Sequence, residues 1–225
     1  MAPRVRRVEM VARNRETVLA AARRVFIDRG YTGATLEAIA EEAGFSTGVM
    51  YSQFESKADL FLTLLEQRIE ERTGQAERIS AEYAGLEGLN RLLEAGGEDA
   101  VAEAAWTRVL VEFRVLASRD PSLNARYGAA HDRNLDRVAA ALERLFVQDG
   151  LQPAFPPRVM AEFMLALATG LNLERAANPD ALPFEVLWRM VPRALGFTVA
   201  EEASPPLPAH PRNRRSRIDR TGGDR

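Results

Sequence analysis

The chain has 225 residues, of which 46% are hydrophobic and none is cysteine. This is enough apolar material for a sizeable core and argues against wholesale disorder, while the missing cysteines exclude a disulfide framework, thiolate metal sites and a cysteine nucleophile. The formal charge of −2 hides an asymmetry, because residues 1–30 carry eight arginines against Glu9, Glu16 and Asp28, residues 204–225 carry six against Asp219 and Asp224, and the body between is acidic; such a distribution suits either one polyanion-binding end or a solvated charged arm.

The predicted elements are all helical, with apolar residues recurring at three- and four-residue spacing and no convincing period-2 stretch. A basic arm, 1–12, precedes a first helix from Arg13 to Asp28, whose inner face is Val18, Ala21, Ala22, Val25 and Phe26 and which Gly30 ends. Thr35 caps a second helix, Leu36 to Ala43. Gly44 is the turn, and Ser46 caps a third, Thr47 to Phe54. Ser56 caps a fourth, from Lys57 to at least Arg72. A short helix from Leu86 to Glu94 follows, then longer ones at Glu98–Ser118, Pro121–Gln148, Pro157–Ala176 and Pro183–Leu195, with breaks at Asp120-Pro121, Gly150–Pro157 and Asn178-Pro179-Asp180. Residues 204–225 are rich in Pro, Arg and Gly and read as a disordered tail.

No secretory signal is expected, since the arginines of the first fifteen residues are not followed by an apolar core. The most apolar stretch, Phe163–Leu173, is too short to span a bilayer. The expected location is the cytoplasm, with no membrane partner.

Two short capped helices joined at Ala43-Gly44-Phe45 have the form of a helix-turn-helix. At 100° per residue the third helix turns Met50 and Phe54 inward and Thr47, Gly48, Tyr51 and Ser52 outward. Small and polar groups with one tyrosine suit a major groove. In one register, Thr35, Ile39, Ala40, Ala43-Gly44, Ser46, Gly48, Tyr51, Phe54, Lys57 and Leu60 resemble the pattern of the tetracycline-repressor (TetR) family over about residues 13–62. Gln53 stands where the family often has an aromatic or histidine, and Phe45 where valine is commoner.

The resemblance implies an all-α fold: an N-terminal three-helix DNA-binding domain, 13–62, and a larger helical ligand-binding and dimerisation domain, 63–203. It also implies DNA-binding roles for Thr35, Ser46, Thr47, Gly48, Val49, Tyr51, Ser52, Gln53 and Lys57. Thr35, Tyr51 and Lys57 would meet phosphates. Ser46 and Thr47 would open the recognition helix towards DNA. Gly48 would allow close approach, Val49 and Ser52 would face bases, and Gln53 would reach backbone or base. Arg4, Arg6, Arg7, Arg13 and Arg15 would add phosphate or minor-groove contacts. Each has a plainer alternative: Thr35 and Ser46 as helix caps, Tyr51 as a structural tyrosine, Lys57 as a surface lysine.

The later helices carry no catalytic arrangement, and no metal or cofactor is expected. Histidine occurs only at His131 and His210, and Glu112, one turn after Arg108, is expected to pair with it. Trp106, Phe113, Tyr127, His131, Phe163 and Met164 are candidates to line an apolar effector cavity, which the family resemblance implies. The last two long helices are apolar round more than one face. Met160, Phe163, Leu167, Leu171, Phe184, Leu187, Trp188 and Val191 are therefore candidates for a two-fold dimer interface. The expected function is a homodimeric repressor that binds double-stranded DNA and is released by a small, largely apolar effector. The alternatives are an activator, a constitutive DNA binder or a small-molecule carrier.

Overall fold

A computed structural model of the chain describes residues 3–97, 100–150, 152–178 and 181–197, with side chains described except at 3–12, 100, 184 and 185. The expected tail, 204–225, and His210 lie outside the described residues, as do the side chains of Arg4, Arg6 and Arg7. Among the described residues there are nine helices: α1 (Pro3–Gly33), α2 (Leu36–Ala43), α3 (Thr47–Gln53), α4 (Lys57–Glu82), α5 (Gly85–Gly97), α6 (Ala100–Ala117), α7 (Pro121–Gln148), α8 (Pro157–Ala177) and α9 (Phe184–Ala194).

Local signals account for several of these bounds. The Asp120 carboxylate accepts the N–H groups of Ser122 and Leu123, and Pro121 opens α7 where its missing N–H costs nothing. The Ser56 hydroxyl accepts the Asp59 N–H and starts α4. One expectation is corrected. Helix α1 begins at Pro3 rather than Arg13, so 3–12 continue the helix instead of forming a separate arm. Helix α4 runs on through Gly74 to Glu82, because packing over its length outweighs the weak propensity of one glycine.

At Gly30 the backbone leaves the helical region (φ 70°, ψ 172°), kinking α1. A β-carbon there would be strained, and it would also lie 2.7 Å from a Glu112 carboxylate oxygen. Glu112 does not ion-pair with Arg108 among the described residues. It instead accepts the Thr32 N–H at 3.1 Å, across 80 residues of sequence.

One core runs from α1 through α2, α3 and the start of α4 into α6 and α7. It includes Val18, Phe26, Ile39, Met50, Phe54, Phe61, Trp106 and Phe113. Phe61 is its hub, with ring centres 5.3 Å from Phe26, 4.5 Å from Phe113 and 5.6 Å from Trp106. A second core, including Leu89, Leu142, Phe146, Met160 and Val191, joins α5, α7, α8 and α9.

Helices α4 and α7 are joined by an ion-pair ladder. Arg126 reaches Asp59 at 2.7 Å, Arg133 reaches Glu66 at 2.6 Å, and Arg137 bonds Glu70, each pair 67 residues apart. A constant difference, rather than a constant sum, requires the two helices to run parallel. Arg137 also reaches Glu77 at 3.0 Å, and Arg144 donates to the Ser80 hydroxyl at 3.1 Å.

Candidate nucleic-acid interface and ligand cavity

The reading module follows from its turn chemistry. The extended Thr35 accepts the Ala38 N–H at 3.1 Å and caps α2. Gly44 ends α2 in the left-handed region (φ 73°, ψ 25°), which glycine adopts without a steric penalty. The chain reverses there, and the Phe45 N–H closes the turn on the Ala40 carbonyl at 2.9 Å. Helix α3 then buries Met50, and Phe54 follows it inward. Ser46, Thr47, Gly48, Tyr51 and Ser52 are left exposed. Tyr51 is 58% exposed, and its hydroxyl leans towards a Glu37 carboxylate oxygen at 3.4 Å. A β-carbon on Gly48 would meet only the Ser46 hydroxyl oxygen, at 3.8 Å. The result is an open, small-residue surface on one side of a rigid helix, the shape a major groove admits.

Five of the expected residues have particular surroundings. Ser46 occupies the N-cap position of α3 but makes no side-chain cap bond, which leaves its hydroxyl available. Gln53 is half-buried, with its amide oxygen buried and unpartnered. Lys57 departs furthest from the expected phosphate contact. Its ammonium donates to the carbonyls of Tyr31, Thr32 and Ala34 at 2.8, 3.3 and 2.9 Å and lies over the Tyr31 ring, 4.6 Å from its centre. An ammonium has three donors, so Lys57 here fastens the α1–α2 junction to α4. Burial lowers its pKa, opposed by the nearby Glu112 carboxylate. Val49 is half-buried, and its carbonyl accepts the Ser52 hydroxyl at 2.7 Å. Arg15, one of the expected phosphate contacts, stacks over Phe54 at 4.7 Å.

A cavity of about 620 Å³ lies within the larger part of the molecule, between α4, α5, α6, α7, α8 and α9. This is within the range of small-molecule sites. Trp106, Tyr127, His131 and Met164 line it. Phe113 and Phe163 do not: Phe113 is fully buried in the aromatic cluster beside the cavity, while Phe163 faces outward and is 44% exposed. Sequence reasoning missed the polar lining, notably Arg68, Glu103, Thr107, Arg114 and Asn172, because these groups converge only in three dimensions. Arg68 pairs with Glu103 and lies over Trp106 at 5.2 Å, and the Asn172 amide donates to the Thr107 hydroxyl at 3.2 Å.

The candidate interface residues divide. Met160, Leu187 and Val191 point into the subunit's own core and leave a partner almost no area. Leu167, Leu171 and Trp188 are half-buried and Phe163 is exposed. The Phe184 side chain lies outside the described residues.

A profile described as "Bacterial regulatory proteins, tetR family" matches residues 18–64, and one described as "BetI-type transcriptional repressor, C-terminal" matches residues 85–197. The chain belongs to the TetR family. The repressor AcnR of Corynebacterium diphtheriae is 34% identical over 146 residues, covering 64% of this chain and 68% of AcnR. The activator FasR of Mycolicibacterium smegmatis is 27% identical over 173 residues, covering 74% and 76%. Among solved structures, FadR from Bacillus subtilis in complex with stearoyl-CoA superposes with a TM-score of 0.64 at 17% identity, over 80% of this chain and 96% of that one. This TetR-family chain is therefore a helix-turn-helix, DNA-binding regulator of transcription, in a family of regulators rather than enzymes. No helix among the described residues is long and apolar enough to cross a membrane.

Proposed function

We propose that the protein is a cytoplasmic, dimeric repressor that leaves a palindromic operator when a small, largely apolar molecule enters the cavity between α4 and α9. The observation that carries this reading is that α4 serves both sites. Its first turn holds the α1–α2 junction through Lys57, and its middle, from Leu65 to Ile79, walls the cavity. A ligand weakens DNA binding only by preferring a conformation in which the reading helices are wrongly placed, and α4 is the lever between the two. Residues 13–62 then act as the reading module and 63–203 as the sensing and dimerising part. Thr47, Gly48 and Ser52 face the bases, with Val49 at their edge, and Thr35, Ser46 and Tyr51 meet the backbone.

The partner surface is the outer face of α8. Val159, Phe163, Ala166, Gly170 and Leu173 recur there at helical spacing and are exposed, and Met190 of α9 is 56% exposed. This apolar face is the dimer interface, pairing with its own copy about a two-fold axis. The similarity to FasR keeps an activator as the second reading. Transcription from a promoter carrying the selected operator, with and without this protein, separates the two: repression lowers it and activation raises it. A protein that binds DNA identically whether or not the cavity is filled would contradict ligand release.

A further inference from the structure

The cavity walls have an unbalanced charge. They carry Arg68, Arg72, Arg114 and Arg175 against Glu103 and Glu162, although the whole chain has more acidic than basic side chains. Most of these groups are already matched. Arg68 bonds Glu103, and Arg72 lies 3.8 Å from the same carboxylate and donates to the Ala95 carbonyl. Arg175 donates to the carbonyls of Ala181 and Leu182 at 3.3 and 3.0 Å. Glu162 lies 3.6 Å from Arg158.

Arg114 is different: among the described residues no carboxylate lies within ion-pairing distance of it. Its guanidinium carbon stands 5.4 Å from the centre of the Tyr127 ring, and Tyr127 stacks in turn on His131, at 5.7 Å and 14° between planes. Arg114, Tyr127, His131 and Asn134 line one part of the cavity, and all four side chains carry hydrogen-bond donors. Other stretches of the wall, such as Ile69, Leu110 and Leu165, are apolar. A planar guanidinium is the side chain best suited to a carboxylate or phosphate oxygen pair.

The geometry points to an amphipathic anion as the effector: an apolar body in the cavity with its acidic head on Arg114. This assignment rests on reading the cavity as the effector site. Burial, and after it the Arg114 guanidinium, lower the pKa of His131.

The test uses the full-length protein and three twelve-carbon probes of similar bulk: laurate, dodecanol and dodecylammonium. Each displaces the neutral dye Nile red, and affinities are read by fluorescence. Laurate is expected to bind at least tenfold more tightly than dodecanol, in keeping with a charge-assisted contact, and the ammonium probe most weakly. Arg114→Gln abolishes the preference for laurate over dodecanol, while Arg114→Lys retains part of it. The side chain is exposed, and unchanged thermal unfolding checks that the variants fold. If Nile red binds and laurate has no advantage over dodecanol, or keeps its advantage in Arg114→Gln, the anion assignment is overturned while the cavity stands. If no probe and no dye binds, the reading of the cavity as a ligand site falls, and this assignment with it.

Discussion

Glu112 of α6 accepts the backbone N–H of Thr32 at 3.1 Å, and its carboxylate fills the space beside Gly30 where any other residue would place a β-carbon. Helix α6, which also contributes to the cavity wall, is thus bonded directly to the kinked end of α1. Gly30→Ala is expected to destabilise the fold by about 1–3 kcal/mol, from a positive φ and a clash with Glu112 together. Glu112→Ala removes the clash but not the backbone strain, so the double variant should recover only part of the loss. Urea unfolding of the four proteins checks this. Simple additivity of the two single losses would show that the residues are not coupled.

Lys57 and Tyr51 separate folding from DNA contact. Replacing Lys57 by Met leaves three carbonyls without their donor and should reduce stability by about 1–3 kcal/mol, with the salt dependence of DNA binding unchanged. Tyr51→Phe should leave stability intact and weaken binding similarly across operator variants, since a phosphate contact carries no sequence information. Thermal unfolding and salt titrations of operator affinity make the comparison. A shallower salt slope in Lys57→Met would return Lys57 to the phosphate.

Much of this module was legible in the sequence. Thr35, Gly44 and Ser56 act through neighbours within a few residues, so their type and spacing give the bounds of α2 and the start of α4. Asp120-Pro121 did the same for α7. Lys57 and Glu112 were not legible, because their partners lie 26 and 80 residues away and spacing along one helix cannot reveal them. Periodicity likewise marked α8 and α9 as apolar on several sides without telling core from outer face. Met160 and Val191 turned inward, and Phe163 turned outward.

The α4–α7 ladder should make stability salt-sensitive. Its pairs are mostly exposed, so each is worth about 0.2–1 kcal/mol. Arg137 meets both Glu70 and Glu77. Arg137→Gln is therefore expected to cost more than Arg133→Gln, and the gap should shrink in high salt. Urea midpoints in low and high salt test this, and equal losses at both would assign Arg137 to packing alone.

Acid should weaken the fold in part through His131. Burial and then the Arg114 guanidinium lower its pKa, with Arg158 adding and Asp132 and Glu162 opposing. The unfolded chain therefore takes up this proton at a higher pH than the folded one. The contribution is fully present above the unfolded value of about 6.5 and is lost as pH falls through it towards the folded value. His131→Gln should lose less stability than the wild type between neutral and mildly acidic pH. An identical pH dependence for both would remove His131 from the account.

The central claim, that a dimer reads DNA through the exposed face of α3, is tested most directly by footprinting on fragments of the source genome selected for binding to the protein. The account predicts protection of a palindrome or near-palindrome whose half-sites lie one or more helical turns apart. It also predicts that Thr47→Ala and Ser52→Ala relax the preference at particular base pairs within each half. Protection of a single asymmetric half-site by a monomer, or losses from both substitutions spread evenly over all sequences, would contradict it.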